Sequence, residues 1–211
     1  GISKLSKERL FDELKKIIKL DTLEKMSKDK ISMELVLMIF PELKNLNIFA
    51  KLNSGQKTIL KNVDFIFLLS LIIIDDTDNT DYFLYKFNIS KKDQKRIKNI
   101  SNFYLKNITS KTFLEKNMNK IFYYLGKEAV LDTLNFRIIK LKKLDKSLLE
   151  LSKHFQNRSR PVMPVGASEL MTKYKIPEGK TLGLKLKMIE EEWVSNNFKI
   201  SEQQIENIIK D

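Results

Sequence analysis

Residues 161–200 read PVMPVGASELMTKYKIPEGKTLGLKLKMIEEEWVSNNFKI and predict two helices joined by a tight turn. The first helix covers about 167–175, where apolar residues follow helical spacing. Pro177 holds the residue before it out of the helical region, and Gly179 gives the backbone freedom just before the next helix. That second helix covers about 181–196 and has one apolar face. The stretch therefore predicts a small helical module near the end of the chain.

The start of the second helix is a candidate anion-binding site. Free N–H groups and the positive end of the helix dipole meet at a helix N-terminus, and such an end binds phosphate readily. Gly179, Lys180 and Thr181 stand at this position, and Lys185 lies close enough in sequence to add positive charge. Most turns of this kind bind nothing, however, so the interpretation depends on the rest of the chain.

The composition favours a polyanionic partner. The 211 residues include 39 Lys+Arg against 27 Asp+Glu, a formal net charge of +12, and RNA, DNA and an anionic membrane all fit such an excess. The basic residues are mostly lysine, so part of the charge can reflect compositional bias alone. The absence of cysteine excludes disulfides and thiolate metal sites, and the single histidine, His154, excludes a cluster of histidine ligands.

Glycine and proline are scarce and apolar spacing is helical almost everywhere, which predicts an all-α fold without a sheet. The most apolar run, residues 63–74, is too short to span a membrane and predicts a buried helix at the centre of the core. Pro41 is predicted to begin a short helix, and Gly126 to end one. No signal peptide pattern opens the sequence, so we expect a cytoplasmic protein without a membrane partner.

Two further groups of basic residues are candidates for phosphate contacts. Ser90 is predicted to cap a helix that runs to about residue 106, and Lys91, Lys92 and Arg96 crowd its first turns. Cations at that end oppose the helix dipole, which favours a binding role over a stabilising one, although a solvated charged face is about equally consistent with the pattern. Arg158 and Arg160 lie on a polar segment that predicts a flexible linker, where they can reach backbone phosphates.

An acidic cluster, Asp-Asp-Thr-Asp-Asn-Thr-Asp at residues 75–81, follows the most apolar run. A hydrophobic segment followed by Asp-x-Asp is how metal-dependent polymerases present the carboxylates that hold two Mg²⁺ ions. No Gly-Ser nucleotide loop precedes the cluster, and its surroundings are helical. Helix caps and turns are therefore the favoured interpretation, with an independent metal-dependent enzyme as the alternative.

The sequence resembles the C-terminal part of the class II CCA-adding enzymes and bacterial poly(A) polymerases. The resemblance is most specific in residues 164–171 and 176–183, which are similar to the family's "P-hydrophobic-x-G-x-D-L-M" and "G-I-x-P-G-P-x-hydrophobic-G" segments, followed by Trp193 and by residues 198–201. Residues 2–14 resemble the helix that closes the family's neck. The segments 40–43 and 83–93 resemble parts of its body.

The resemblance implies an RNA-binding fragment without the catalytic centre. In the family, the head carries the nucleotidyltransferase motifs and binds Mg²⁺ and CTP or ATP, and none of those motifs occurs here. Because the chain begins with Gly-Ile-Ser rather than Met, we expect that an N-terminal part is missing and that the fragment alone is inactive, with no cofactor and no metal of its own. The resemblance predicts the end of the neck at 1–20, a helical body at 21–156 and a helical tail at 157–211.

The predicted function is to hold a tRNA, or another RNA 3′ end, for nucleotide addition by a head domain. The alternative is a helical protein-interaction domain whose basicity is incidental. No catalytic residue is predicted. The predicted RNA contacts are Arg158, Arg160, Gly179, Lys180, Thr181, Lys185, Lys91, Lys92 and Arg96. Neither the choice between CCA and poly(A) addition nor the oligomeric state follows from the sequence.

Overall fold

The computed structural model describes residues 6–106 and 113–210. These residues form thirteen α-helices, a 3-10 helix at Leu46–Lys51 and no strand, which confirms the all-α prediction. The α-helices are α1 (Lys7–Ile17), α2 (Leu20–Met26), α3 (Lys30–Ile39), α4 (Ser54–Leu60), α5 (Phe65–Ile73), α6 (Asn79–Lys86), α7 (Lys91–Lys106), α8 (Glu115–Leu125), α9 (Lys127–Lys140), α10 (Lys146–Asn157), α11 (Ala167–Lys173), α12 (Lys180–Ser195) and α13 (Glu202–Lys210).

The chain divides into two compact units. Unit 1 comprises Gly1–Ile108 and Asp132–Glu150, and unit 2 comprises Thr109–Leu131 and Leu151–Asp211, so that the division falls inside α9 and α10. The limits at residues 20 and 156 that the resemblance implies stay predictions. Helix α1 belongs to unit 1 because Phe11 and Leu14 enter its core, and α8 belongs to unit 2 because it packs against α12.

Helix α5 is the centre of unit 1, as its apolar sequence predicted. Asp64 caps its N-terminus by accepting a hydrogen bond from the Phe67 amide at 3.0 Å. Every residue from Phe67 to Ile74 is buried, and each large apolar side chain of this kind contributes about 1.5–3 kcal/mol when it leaves water. Phenylalanines of α1 and α6 pack in the same core, with the rings of Phe83 and Phe87 4.7 Å apart.

The C-terminal carbonyl groups of α5 are satisfied by side chains from other segments. Asn45 donates through Nδ2 to the carbonyls of Ile72 at 3.3 Å and Ile74 at 2.8 Å. Asn79 donates through Nδ2 to Ile73 at 2.7 Å and to the carbonyl of Glu42 at 2.8 Å. These groups need internal donors because water does not reach them and an unpaired buried carbonyl is costly.

Helix α9 ends in the same way, and its cap comes from α4. The buried Gln56 side chain donates through Nε2 to the carbonyls of Ile138 at 3.0 Å, Ile139 at 3.2 Å and Leu141 at 3.0 Å. Gln56 also forms a capping box with Asn53 at the start of α4. One side chain therefore fixes both the start of α4 and the end of α9.

The structure does not form the predicted short helix at Pro41. Residues 41–45 form turns, because Leu43 is buried and Glu42 turns inward to pair with Lys86 at 2.7 Å. Gly126 ends α8 with φ 93°, as predicted, and nothing lies within 4 Å of the position where a Cβ would be. From the sequence we also expect Thr109 or Ser110 to begin α8, and both residues lie outside the described residues.

The core of unit 2 joins the last three helices. Val165, Leu170, Leu182, Ile189 and Ile205 are among its buried members. The predicted apolar face of α12 is confirmed, with Leu182, Ile189, Trp193 and Val194 buried. The chain leaves α12 through two residues with positive φ, Asn197 and Phe198, and α13 then returns against it.

Replacing Asn79 by alanine should destabilise unit 1 by about 3 kcal/mol, because two buried carbonyl groups lose their donor and each unsatisfied group costs about 1–3 kcal/mol. Urea unfolding followed by far-UV circular dichroism measures the change. Asn102→Ala, at an exposed position of α7, is the matched control and should change stability by less than about 0.5 kcal/mol. Equal stability of the two variants would contradict the capping role.

Candidate nucleic-acid interface

The N-terminus of α12 is open to solvent. Gly179 is its N-cap residue, with φ 146° and ψ −166°, a conformation that favours glycine, and no side chain caps the helix. The first intrahelical bond runs from the Gly183 amide to the Gly179 carbonyl at 3.2 Å. Among the described residues, no backbone oxygen outside the helix and no side chain accepts from the amides of Lys180, Thr181 or Leu182. Three N–H donors are therefore available there.

The side chains around this helix start differ in their freedom. Lys180 and Thr181 are exposed, and nothing lies within 4 Å of the position a Cβ would take at Gly179. Lys185, in contrast, donates through Nζ to the Ile208 carbonyl at 2.8 Å, near the C-terminus of α13. Its charge complements the negative end of that helix dipole. Lys180 and Thr181 are therefore open to a ligand, whereas Lys185 holds α13 to α12.

Arg158 contacts other parts of unit 2, although the sequence predicted a flexible linker. Its guanidinium lies 4.9 Å from the Phe198 ring centre and donates through Nη1 to Asn119 Oδ1 at 3.1 Å. The buried Asn119 in turn donates to Asn197 Oδ1 at 2.8 Å. Arg158 therefore ties the linker to α8 and to the end of α12, which leaves less of its guanidinium for a phosphate.

Arg160 remains exposed but stacks on an aromatic cluster. Its guanidinium carbon lies 5.2 Å from the Tyr123 ring centre, within range of a cation–π contact. Tyr123 packs edge-on against Trp193 at 5.3 Å, and Trp193 packs edge-on against Phe198 at 5.0 Å. The cluster orients the Arg160 guanidinium and leaves its N–H groups free to donate to an anion.

Tyr123 is held in its protonated form. Its hydroxyl contacts Glu190 Oε1 at 2.7 Å. Partial burial, the hydrogen bond to Glu190 and the negative charge of that carboxylate together raise the pKa of Tyr123 to about 12. A neutral phenol donating to Glu190 is therefore the form present at neutral pH.

Lys91 and Lys92 are exposed at the first turn of α7, in unit 1. Ser90 caps this helix as predicted, since its Oγ accepts from the Asp93 amide at 3.2 Å and donates to the Asp93 carboxylate at 2.7 Å. Neither lysine pairs with a carboxylate in the described part of the chain. Both are therefore available to a phosphate, on a different unit from Gly179.

Arg96 has a structural role that the sequence did not show. Its guanidinium pairs with Asp132 at 2.7 Å through Nε and at 3.0 Å through Nη2, and also with Asp64. Burial works against the charged form of Asp64, but the hydrogen bond from Arg96 lowers the pKa of that carboxyl overall. Because Asp64 caps α5, Arg96 connects α7 to α5 and α9 within unit 1 and is not aimed at solvent.

The acidic cluster at 75–81 forms a turn through Asp75 and an ion pair through Asp81. Asp75 Oδ1 accepts from the Thr77 amide at 3.0 Å and from the Thr77 hydroxyl at 2.7 Å, and Asp81 pairs with Lys98 at 3.3 Å. Within residues 6–106 and 113–210, no three acidic or histidine side chains come together as metal ligands. The geometry therefore gives the two-metal hypothesis no support.

The sequence did not reveal the contacts that organise the unit 2 site. Asn119, Tyr123 and Glu190 lie on α8 and α12, far apart in sequence, and no local spacing distinguishes them from ordinary helix residues. The sequence contains one sign of these contacts. Trp193 and Phe198 are five residues apart, an interval that does not place two aromatic rings on the same face of a continuous helix. Their contact requires the chain reversal at Asn197.

Comparison of the chain with protein-family models, with curated proteins and with solved structures gives no match. None of the helices in the described part of the chain combines the length and the apolar character that a membrane span requires.

Replacing Arg96 by methionine should destabilise the protein by about 3 kcal/mol, because the largely buried Asp132 carboxylate loses its partner. Lys98→Met removes an exposed ion pair from the same helix and should cost less than about 1 kcal/mol. Chemical unfolding of both variants gives the comparison. Equal destabilisation by the two variants would contradict this structural role of Arg96.

Tyr123 should make stability fall with rising pH in the alkaline range. An unfolded tyrosine loses its proton near pH 10.0, whereas the folded protein holds the Tyr123 proton until about pH 12. The stabilisation is therefore complete below pH 10.0 and is lost as pH rises toward 12. Absorbance at the phenolate band should show an ionisation near pH 12 that Tyr123→Phe abolishes.

Tyr82 is exposed, so Tyr82→Phe controls for the removal of one tyrosine and should keep the ionisation near pH 12. If Tyr123→Phe left the alkaline titration and the slope of stability against pH unchanged, the contact with Glu190 would not be present in solution.

Proposed function

We propose that this chain is an RNA-binding module that holds a tRNA, or another RNA 3′ end, by its phosphate backbone. In this proposal it is the C-terminal region of a tRNA nucleotidyltransferase or poly(A) polymerase, acts in the cytoplasm and is inactive without a catalytic head. The head would bind Mg²⁺ and CTP or ATP. The family assignment rests on the resemblance of the sequence alone.

The open N-terminus of α12 is the observation that carries the proposal. Three unpaired amides, the positive end of a sixteen-residue helix and the exposed Lys180 converge on one point. Phosphate oxygens fit this combination because each amide donates one hydrogen bond and the dipole favours negative charge. The same segment, 176–183, is where the resemblance is most specific.

Backbone recognition fits the kind of donors available. Amides and lysine ammonium groups bind phosphate oxygens but do not distinguish one base from another. A protein that reads structured RNA in this way depends on the spacing of phosphates, which is a property of RNA shape. Lys91, Lys92 and Arg160 are the further candidates that the structure leaves exposed. Arg96, Arg158 and Lys185 support the fold around them.

A second candidate function, protein binding, is favoured by α3. No residue of this helix is buried, and Ile31, Leu35 and Met38 are exposed by 70%, 58% and 82% on one face. Contiguous apolar side chains in water often mark an interaction surface. An RNA affinity that does not change with salt would favour this function, because counterion release makes phosphate binding strongly salt-dependent.

Lys180→Ala should weaken tRNA binding by about threefold to tenfold and reduce the slope of log Kd against log salt by about 0.7–0.9, the effect of one phosphate contact. Fluorescence anisotropy with labelled tRNA, over a series of salt concentrations, measures both quantities. The melting temperature should stay at the wild-type value because Lys180 is exposed and unpaired among the described residues.

Lys187→Ala is the matched control, since Lys187 lies on the same helix, is exposed and faces Glu191 at 3.9 Å. It should bind tRNA as the wild type does. Equal losses of tRNA affinity in both variants would show that only net charge matters. Wild-type affinity in Lys180→Ala would exclude the N-terminus of α12 as an RNA contact. A single-stranded RNA of equal length should bind more weakly than tRNA if shape is recognised.

A further inference from the structure

Unit 1 contains a basic groove that the sequence did not single out as a site. It lies between the 3-10 helix Leu46–Lys51 and the end of α9, has a volume of about 490 Å³, and carries Lys51, Lys140 and Lys142 on its walls. We call it the lysine groove. Residues 140–146 line an adjoining, more open depression that adds Lys143 and Lys146.

The lysines of the groove have no carboxylate partner. No aspartate or glutamate of the described residues lines it, and none forms an ion pair with Lys51, Lys140 or Lys142. Asp145 lines only the adjoining depression, where its Oδ1 accepts from the Ser147 amide at 2.9 Å and the Ser147 hydroxyl at 2.7 Å. Its charge is used to cap α10.

The helix ends at the groove do not cancel this positive charge. The last carbonyl groups of a helix carry partial negative charge and would repel an anion. Here Gln56 donates to three carbonyls at the end of α9, and Asn45 donates to two at the end of α5. With those oxygens already hydrogen-bonded, the lysine ammonium groups dominate the groove.

The three lysines have different parts in this arrangement. Lys140 is partly buried over the rings of Tyr104 and Phe136, and its Nζ lies 3.4 Å from the Ile74 carbonyl. Burial lowers the pKa of Lys140, and the charges of Asp75 and Asp76 oppose that shift. Lys51 and Lys142 are exposed on the two walls, so they are the side chains able to close on a ligand.

We propose that the lysine groove binds a phosphate group between Lys51 and Lys142. The groove is concave, carries the exposed Lys51 and Lys142 with no carboxylate among its described lining residues, and has the carbonyls of Ile138, Ile139 and Leu141 at the end of α9 hydrogen-bonded to Gln56. The phosphate can belong to the RNA backbone, in which case this inference rests on the proposed function and gives unit 1 its own contact. It can also belong to a small polyphosphate, which would bind whether or not the chain binds RNA.

The double variant Lys51→Ala/Lys142→Ala tests the site with two ligands, sodium tripolyphosphate by calorimetry and labelled tRNA by fluorescence anisotropy. We expect binding of tripolyphosphate to weaken by about tenfold or more, since two charge-assisted contacts are lost. Lys28→Ala/Lys30→Ala removes the same charge from exposed positions of unit 1 outside the groove and should change either affinity by less than about twofold. Lys51→Arg/Lys142→Arg should retain binding.

The outcomes separate the two sources of phosphate. Loss of affinity for both ligands supports a backbone phosphate of RNA in the groove, and loss for tripolyphosphate alone supports a small polyphosphate. The proposal is overturned if neither affinity changes, or if Lys51→Ala/Lys142→Ala and Lys28→Ala/Lys30→Ala lose affinity equally. It is also overturned if Lys51→Ala/Lys142→Ala lowers only the melting temperature, because the lysines would then only complement the α9 dipole. If Lys180→Ala weakens tRNA binding and the groove variant does not, the proposed function stands without the groove.

Discussion

Helix α5 is surrounded by protein from Phe67 onward, so its last carbonyl groups cannot be hydrated and must find donors inside unit 1. Asn45 and Asn79 supply those donors, one from before the helix and one from after it. An asparagine is suited to this task because its amide group carries two donors on a short, stiff side chain. The apolar core and the polar caps are therefore one constraint, since burying the helix is favourable only when both caps are in place.

The caps also determine where basic side chains lie. Asn45 begins the 3-10 helix that carries Lys51, and Gln56 fixes the end of α9, after which Lys142 and Lys143 follow. Capping residues that donate to carbonyls of other segments thus bring two lysine-bearing segments to one groove. In unit 2, Asn119 has a comparable role, because it accepts from Arg158 and donates to Asn197.

The local predictions from sequence were accurate where short-range chemistry decides the structure. Ser90 caps α7, Gly126 ends α8, and the apolar face of α12 is buried as its spacing indicated. The error at Pro41 arose because a partner far away in sequence decides the local structure: Pro41 does not begin a helix because Glu42 reaches Lys86. The limits of the two units depend on contacts of the same kind, such as the packing of α8 against α12. The RNA contacts of Arg96, Arg158 and Lys185 stay predictions, but the sequence did not show the partners that these residues have in the fold. Arg96 pairs with residues 32 and 36 positions away, Arg158 with one 39 positions away and Lys185 with one 23 positions away.

Arginine and lysine have separate uses in this protein. Arg96 pairs with two carboxylates, Arg158 stacks on Phe198, and Arg160 stacks on Tyr123. The planar guanidinium makes directed hydrogen bonds and ring contacts at once, which suits it to holding elements of the fold together. The exposed Lys51, Lys91, Lys92, Lys142 and Lys180 are flexible point charges without carboxylate partners in the described chain. Such charges follow a phosphate backbone whatever its base sequence, so a surface built from them can select an RNA only through the spacing of its phosphates. Under the proposed function, that limit is the physical reason to expect recognition of RNA shape rather than of RNA sequence.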